Sequence, residues 1–479
     1  MDILLKLCAI TKRAISSGLL VPVSVALFAL FPLTDTDIWW HLACAREWYL
    51  TWSPVRLPAV NVHEYFQQVV YAAYSLGGAP LLVAFKALLW GTVFALFLWP
   101  FRRAIRCNAV TAATLTVTLF VFHYCFEIRP VLFSLLILGV YWNLLPGLRR
   151  VPVAVAILIL QWLWCRVQGL YILGPLFAAA VLLPQIVKSA NARERLLKSA
   201  FLLSMFAMPL LHGEGLRLFL YPLGLLDRLL GITPSAAVFA SSIAENRSPF
   251  SILAAGENVL GCVFAVALCA VACAWSLRNI LYRREWTLSA SLLTTAVLAL
   301  VAERNMALFL PVFAVAFLYE TSRAECCLQN VNLFYKWSGI AVLAFVFGLW
   351  ARSLSAYDSF VAYQRVPVDA AKWMSAHPHA GRLFNDDRAG GYLAFVNSSD
   401  SVYVDGRFIL KTADFFERYL RFAEEPGLFF SEADSWGVDR AVFPLRYYAR
   451  WGRVLDALDS APEWQVGHVD EYYIVFCKK

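Results

Sequence analysis

Apolar runs long enough to cross a membrane recur along this sequence up to about residue 353. A helix needs roughly 17–25 mostly apolar residues to cross about 30 Å of hydrocarbon. The chain has 479 residues, of which 60% are hydrophobic and 15% charged, whereas soluble proteins are usually about half apolar. The sequence therefore predicts a polytopic α-helical membrane protein.

We predict about eleven spans, all within a transmembrane domain at 1–353. They are placed at 14–33, 78–101, 109–125, 130–147, 151–166, 169–187, 198–211, 252–276, 286–302, 304–320 and 337–353. Two outer loops, 34–77 and 212–251, are long. From residue 354 onward helical stretches (368–377, 415–424 and 448–458) alternate with the β-like runs "GRLFN", "SVYVDGR", "DRAVFPL" and "EYYIVFC". This alternation predicts a small α/β domain at 354–479.

Basic residues cluster in five short connections that share one side of this arrangement. They are Arg102, Arg103 and Arg106, then Arg149 and Arg150, then Lys188, Arg193, Arg195 and Lys198, then Arg278, Arg283 and Arg284, then Arg323 and Lys336. An excess of Lys and Arg marks cytoplasmic loops. The pattern predicts a cytoplasmic N-terminus and an extracytoplasmic 354–479 domain. It also explains the net charge of +8 without a nucleic-acid partner.

Ionisable and polar residues gather in short turns on the other side. They are Glu127, Arg129, Arg166, Gln168, Glu245, Arg247, Glu303, Arg304 and Asn305. Such residues are costly at membrane depth and are usually functional. Arginine binds phosphate through two parallel hydrogen bonds, and a carboxylate can deprotonate a hydroxyl group or hold a metal ion. We therefore predict an outward-facing pocket for a lipid-linked phosphate.

The first outer loop opens with "DTDIWWHLACAREW", from Asp35 to Trp48. Its tryptophans predict a helix that lies in the membrane interface. Asp35 and Asp37 precede that helix, where aspartate is a favoured cap, so capping and catalysis are both open for them. Glu127–Arg129 and Glu303–Arg304 are equally open as structural ion pairs. Arg166 has no acid near it in sequence, which favours a binding role.

These stretches, together with Leu57-Pro58 and His63-Glu64-Tyr65, resemble a bacterial family of GT-C-type membrane glycosyltransferases. "EIRPVLFS", "ERNMALF" and "GGYLAFV…VYVDGR" resemble later motifs of that family, so the resemblance covers nearly the whole chain. It implies a polyprenyl-phosphate-linked sugar donor and a catalytic base in the first outer loop. We expect Asp37 to be this base, and Asp35 to orient the acceptor or hold a divalent metal. The expected substrate-binding set adds His41, His63 and Glu64 to the turn residues.

The chain departs from the family pattern at three places. Arg166-Val167-Gln168-Gly169 replaces Asn-x-His-Gly, Tyr65 replaces a Trp, and Glu245-Asn246-Arg247 replaces an acidic stretch with Trp. The leading prediction is a glycosyltransferase of the bacterial cytoplasmic membrane, with the bilayer and the lipid donor as partners. A transporter or flippase is less favoured, because the sequence shows no broken helices or inverted repeat around a midplane charge, and the charges lie at one rim. A non-catalytic scaffold of envelope polysaccharide assembly gains from the departures.

Overall fold

The computed structural model describes residues 18–57, 59–148, 150–243, 246–283, 285–325, 333–398 and 401–479. In this part of the chain the helices are α1 (Leu20–Phe28), α2 (Asp37–Cys44), α3 (Glu64–Leu98), α4 (Ala109–Val121), α5 (Pro130–Leu144), α6 (Val151–Trp164), α7 (Leu173–Lys188), α8 (Ala192–Ala207), α9 (Gly215–Leu230), α10 (Pro234–Ser242), α11 (Pro249–Ala254), α12 (Val259–Arg278), α13 (Trp286–Val301), α14 (Met306–Glu325), α15 (Leu333–Leu354), α16 (Val368–Ala376), α17 (Asp387–Val396), α18 (Ala413–Phe422), α19 (Pro426–Trp436) and α20 (Tyr448–Ser460). The strands are β1 (Arg382–Asn385), β2 (Val438–Pro444), β3 (Trp464–Val469) and β4 (Tyr473–Lys478).

The chain forms two compact units. The transmembrane unit comprises the described residues of Met1–Phe31, Val83–Leu226 and Ala240–Asp358. The C-terminal unit comprises Pro32–Leu82, Asp227–Phe239 and Ser359–Lys479. The domain boundary predicted at residue 353 lies close to the change of unit between Asp358 and Ser359. The whole of the first outer loop, 34–77, and part of the second belong to the same unit as the C-terminal residues.

Within the described residues, six helices are long and apolar enough to cross a membrane, or seven if one bent pair is a single span. The six are Glu64–Phe101, Pro130–Gly147, Gly169–Lys188, Val259–Arg283, Glu303–Ala324 and Trp337–Leu354. The chain is therefore a helical membrane protein, but the predicted count of about eleven spans is too high. Ala109–Val121, Val151–Trp164 and Trp286–Val301 are shorter apolar helices of 10–17 residues. At about 1.5 Å per residue they fall short of a bilayer core of about 30 Å.

Aromatic side chains and one close glycine contact hold the transmembrane unit together. The Phe28 ring lies 5.5 Å from the rings of Phe120 and Phe347 and 5.7 Å from that of Trp350, measured between centroids. Helix α15 approaches the start of α4 at Gly339, where an added Cβ would lie 2.5 Å from the backbone carbon of Ala109. Small residues allow such close packing of membrane helices.

Three of the basic connections meet at one end of the transmembrane unit. The backbone N–H of Arg106 donates to the Ser322 hydroxyl over 2.7 Å. Arg283 pairs with Glu320 over 2.8 Å, and Arg323 pairs with Glu285. Their clustering is compatible with one side of a membrane, as the charge pattern predicts.

A mixed four-stranded sheet forms the core of the C-terminal unit, in the order β1-β2-β4-β3. Strands β1 and β2 are parallel, and the other pairs are antiparallel. The prediction of a small α/β fold is confirmed here, with three of the four β-like runs and all three helical stretches in place. "SVYVDGR" is not a strand, because it forms only an isolated bridge, from Val402 to Thr51. Strand β3 was not predicted.

The close contact at Gly339 gives a test of helix packing. We expect Gly339→Ala to destabilise the protein by about 1–3 kcal/mol, because the added methyl group must push α15 away from α4. Gly348→Ala on the same helix is the control, since nothing lies within 4 Å of its added Cβ. Thermal unfolding in detergent micelles measures both. Equal midpoints for the two variants would contradict this packing.

Candidate functional site

Asp35 and Asp37 lie at the start of α2, in the C-terminal unit. The Asp35 carboxylate accepts a hydrogen bond from the backbone N–H of Asp37 over 3.2 Å, so Asp35 serves the helix end. Asp35 is buried and Asp37 is half-buried. Arg365 donates to the Thr34 carbonyl over 3.1 Å and fixes the chain just before the pair. Both carboxylates therefore have a defined position.

Helix α2 is part of the core of the C-terminal unit, and this corrects the expectation that it lies in the membrane interface. Trp39 is fully buried and Trp40 is 8% exposed. The Trp39 ring packs edge-on against Tyr392 at 4.8 Å and Tyr74 at 6.0 Å. Trp52 is also held by the protein, since its indole N–H donates to the Leu383 carbonyl over 2.9 Å. Trp39 is surrounded by protein, whereas a helix in the membrane interface would expose its tryptophans to lipid.

The structure brings His41 and His63 together in the same unit. Their ring centroids lie 5.3 Å apart, and the His41 ring also packs against Phe66 at 4.8 Å. His41 is 2% exposed. Glu64 follows His63 as the first residue of α3. Among the described residues no group of three or more His, Cys, Asp or Glu side chains could hold a metal ion.

The other described site candidates lie in the transmembrane unit and connect several turns. Glu303 accepts a hydrogen bond from the Tyr124 hydroxyl over 3.0 Å, and its backbone N–H donates to the Arg247 carbonyl over 3.1 Å. Gln168 accepts from the Ser134 hydroxyl. Asn305 donates to the Leu298 carbonyl over 2.9 Å. Glu245 lies outside the described residues.

The four candidate arginines differ in exposure and partner. Arg166 has an acid partner after all, because its guanidinium lies 2.7 Å from the Glu214 carboxylate. Arg129 is half-buried and directly precedes α5, while Arg304 is exposed. Arg247 pairs with Glu257 over 3.2 Å. Sequence reasoning missed both acid partners, because Glu214 lies 48 residues after Arg166 and Glu257 lies 10 residues after Arg247.

Sequence reasoning also missed Lys86, a fully buried cation in the longest apolar helix. Its ammonium group donates to the Phe31 carbonyl over 2.9 Å and lies 3.5 Å from the centre of the Phe31 ring. It is 3.9 Å from the Glu127 carboxylate. Trp90, one turn further along α3, donates to the Glu127 carbonyl over 2.9 Å. A single charged residue within an apolar run usually has a partner, so the sequence could have indicated that Lys86 forms such a contact.

Two cavities of the transmembrane unit lie away from all these candidates. One has a volume of about 380 Å³ and is lined by polar residues, including Gln185, Lys188 and Glu194. The other has about 420 Å³ and lies among mostly apolar side chains of α4, α12, α14 and α15. Neither is lined by a predicted site residue.

No family model matches this chain, and no curated protein is significantly similar to it.

The contact between Lys86 and Glu127 generates a stability test. We expect Lys86→Met to cost about 3–5 kcal/mol, because it removes the buried cation that lies 3.9 Å from the Glu127 carboxylate. Lys86→Met combined with Glu127→Gln should recover part of this loss, since the carboxylate that Lys86 faces is then replaced by a neutral group. Unfolding in detergent measures all variants. If the double variant loses the sum of the two single losses, the groups are not coupled.

Proposed function

We propose that this protein is an integral-membrane glycosyltransferase of the bacterial cytoplasmic membrane. It would transfer a hexosyl or pentosyl group from a polyprenyl-phosphate-linked donor to an envelope glycan, lipid or protein acceptor on the outer face. The observation that carries the proposal is the placement of Asp37 on the first turn of the buried helix α2. A general base must keep a fixed position toward the hydroxyl group that it deprotonates.

The surroundings of Asp37 support a role as base. Gly406 lies beside it in a left-handed conformation with φ +87°, and an added Cβ there would be 3.5 Å from an Asp37 carboxylate oxygen. The backbone at Gly406 therefore lies close to the Asp37 carboxylate, which is half-buried. The N-terminus of α2 carries a partial positive charge, which favours the ionised form that a base requires. Asp35 would be the second carboxylate, which orients the acceptor from its position just before α2.

The turns of the transmembrane unit supply groups suited to the donor phosphate. Arg129, Arg166 and Arg304 all lie in or beside short turns that follow apolar helices. Guanidinium groups stay charged and bind phosphate oxygens in pairs. We infer that Arg166 or Arg304 binds the phosphate, while its lipid chain remains in hydrocarbon.

A transporter or flippase is the second candidate, and two observations favour it. The sequence showed no broken helix, but Ala192–Leu211 and Gly215–Leu230 form a pair bent by 104°. Lys86 and Glu127 also place opposite charges inside the apolar part of the transmembrane unit. Broken helices and buried charges are features of transport sites.

A non-catalytic scaffold is the third candidate. It is favoured by the pairing of Arg166 with Glu214 and of Arg247 with Glu257. Guanidinium groups engaged in this way stabilise the protein even when no ligand binds.

The two aspartates give the decisive test of catalysis. We expect Asp37→Asn to fold and to bind donor but to transfer sugar about 10²–10⁴-fold more slowly, as loss of a general base does. Asp35→Asn is the matched comparison. Purified protein in liposomes with a radiolabelled polyprenyl-phosphate sugar measures both transfer and movement of the donor across the bilayer. Full turnover by Asp37→Asn would remove the proposed base, and movement without transfer would favour the flippase.

The proposed orientation is tested separately. We expect single cysteines at exposed positions of 359–479 to react with a membrane-impermeant maleimide added to intact spheroplasts. A cysteine introduced at Arg103, in a basic connection, should react only after the membrane is opened. Labelling in the reverse order would place the C-terminal unit in the cytoplasm and would exclude transfer at the outer face.

A further inference from the structure

Two parallel strands of the C-terminal unit end beside each other at one edge of its sheet. Strand β1 is followed by Asp386, Asp387 and Arg388, and β2 is followed by the turn Leu445–Tyr447 and by α20. Ligands of α/β sheets commonly bind outside the carboxyl ends of parallel strands. Residues that follow β1 and β2 are therefore placed where such a sheet can hold a ligand.

Two carboxylates lie beneath this edge and hold arginine side chains. Asp386 is fully buried and accepts a hydrogen bond from the Trp451 indole over 2.7 Å. The same Asp386 oxygen lies 3.9 Å from Arg388 and 4.0 Å from Arg450. Asp387 accepts hydrogen bonds from the Tyr419 hydroxyl over 2.8 Å and from Arg450 over 3.1 Å. Two guanidinium groups thus converge on one pair of acids.

The arginines form the outer surface of the cluster, above the acids. The side chains of Arg388 and Arg450 are 31% and 26% exposed, whereas that of Asp386 is fully buried. Arg446 is exposed and adds a third cation. The Arg388 and Arg446 guanidinium carbons lie 4.0 Å and 4.5 Å from the centre of the Tyr447 ring.

The charges do not cancel at this edge. Three arginines carry +3, and two aspartates carry at most −2, so a net positive charge remains. Each guanidinium has five N–H donors. Arg450 uses one of them on Asp387, and Arg446 donates to the Tyr447 hydroxyl. The two acids fix Arg388 and Arg450 in place, and the exposed Arg446 and partly exposed Arg450 keep donors for another group.

We propose that Arg388, Arg446, Arg450 and Tyr447 form a phosphate-binding site in the C-terminal unit, which takes the phosphate of a phosphorylated sugar. The arginines supply fork-shaped donors that match phosphate oxygens. Tyr447 is half-buried, and the part of its side chain that Arg388 and Arg446 leave uncovered would contact the sugar. This site belongs to the C-terminal unit alone and does not depend on a transfer reaction.

Full-length protein in lipid nanodiscs tests the proposal by isothermal titration calorimetry. The probes are inorganic phosphate, glucose 1-phosphate and, incorporated in the nanodisc, a polyprenyl phosphate. We expect saturable binding of glucose 1-phosphate that is tighter than that of inorganic phosphate. Competition by the polyprenyl phosphate would identify a lipid-linked ligand, and its absence a soluble one. Lack of saturable binding of all three probes would overturn the proposal.

The variants separate binding from structure. Arg446→Gln should weaken binding about tenfold, equivalent to about 1.4 kcal/mol. The unfolding midpoint should not change, because Arg446 forms no ion pair with either aspartate in the described part of the chain. Arg446→Lys should recover only part of the affinity, since lysine lacks the fork. Arg453→Gln is the control, because Arg453 lies on α20, the helix that follows this turn, and donates to the Glu424 carbonyl. Equal affinity in Arg446→Gln and wild type would show that the arginines serve the fold alone.

Discussion

The C-terminal unit depends on the close approach of α2 to α17. Gly391 makes it possible, because an added Cβ would lie 2.9 Å from the backbone nitrogen of Trp40. The neighbouring Gly390 faces the Val404 carbonyl, only 1.7 Å from where its Cβ would be. Burying a large apolar side chain stabilises a protein by about 1.5–3 kcal/mol, and Trp39 is fully buried in this contact. The segment that carries Asp35 and Asp37 is thus also core, which is why both acids have fixed positions.

Buried cations attach the rest of the first loop to the same unit. Arg407 pairs with Asp405 over 2.5 Å and donates to the Trp48 carbonyl over 2.9 Å. Lys411 donates to oxygens of Thr51, Ser53 and Pro54 over 2.8–3.1 Å. Burial lowers the pKa of Lys411 to about 8. Buried charges are tolerated when they are hydrogen-bonded in this way. The "SVYVDGR" stretch therefore packs against the first outer loop, which is distant in sequence, and does not form a strand of the sheet.

The spacing of hydrophobic residues and the positions of turn residues were enough to predict a membrane protein and the α/β character of residues 354–479. They overestimated the spans because apolar runs such as Val151–Trp164 are long in sequence terms but end at turns before a full crossing. They missed β3 because "WQVGHV" contains a glycine and polar residues, and it gains its order from pairing with β4. The partner of Arg166 could not be predicted either, since Glu214 lies 48 residues away. Such pairs depend on which turns the fold brings together, and that information is not local.

The Arg166–Glu214 pair bears on how a phosphate could bind at the transmembrane unit. One guanidinium nitrogen of Arg166 lies 2.7 Å from one carboxylate oxygen of Glu214. A guanidinium has five N–H donors in a planar fork, so Arg166 can contact an acid and a phosphate at once. Glu214 then holds the fork in place and weakens the attraction for a second anion, since it cancels part of the charge. Arg304 differs because it is exposed, so water already competes for its donors. Of the two candidates, Arg166 therefore offers a fixed orientation and Arg304 an accessible charge, and neither arginine alone offers both properties.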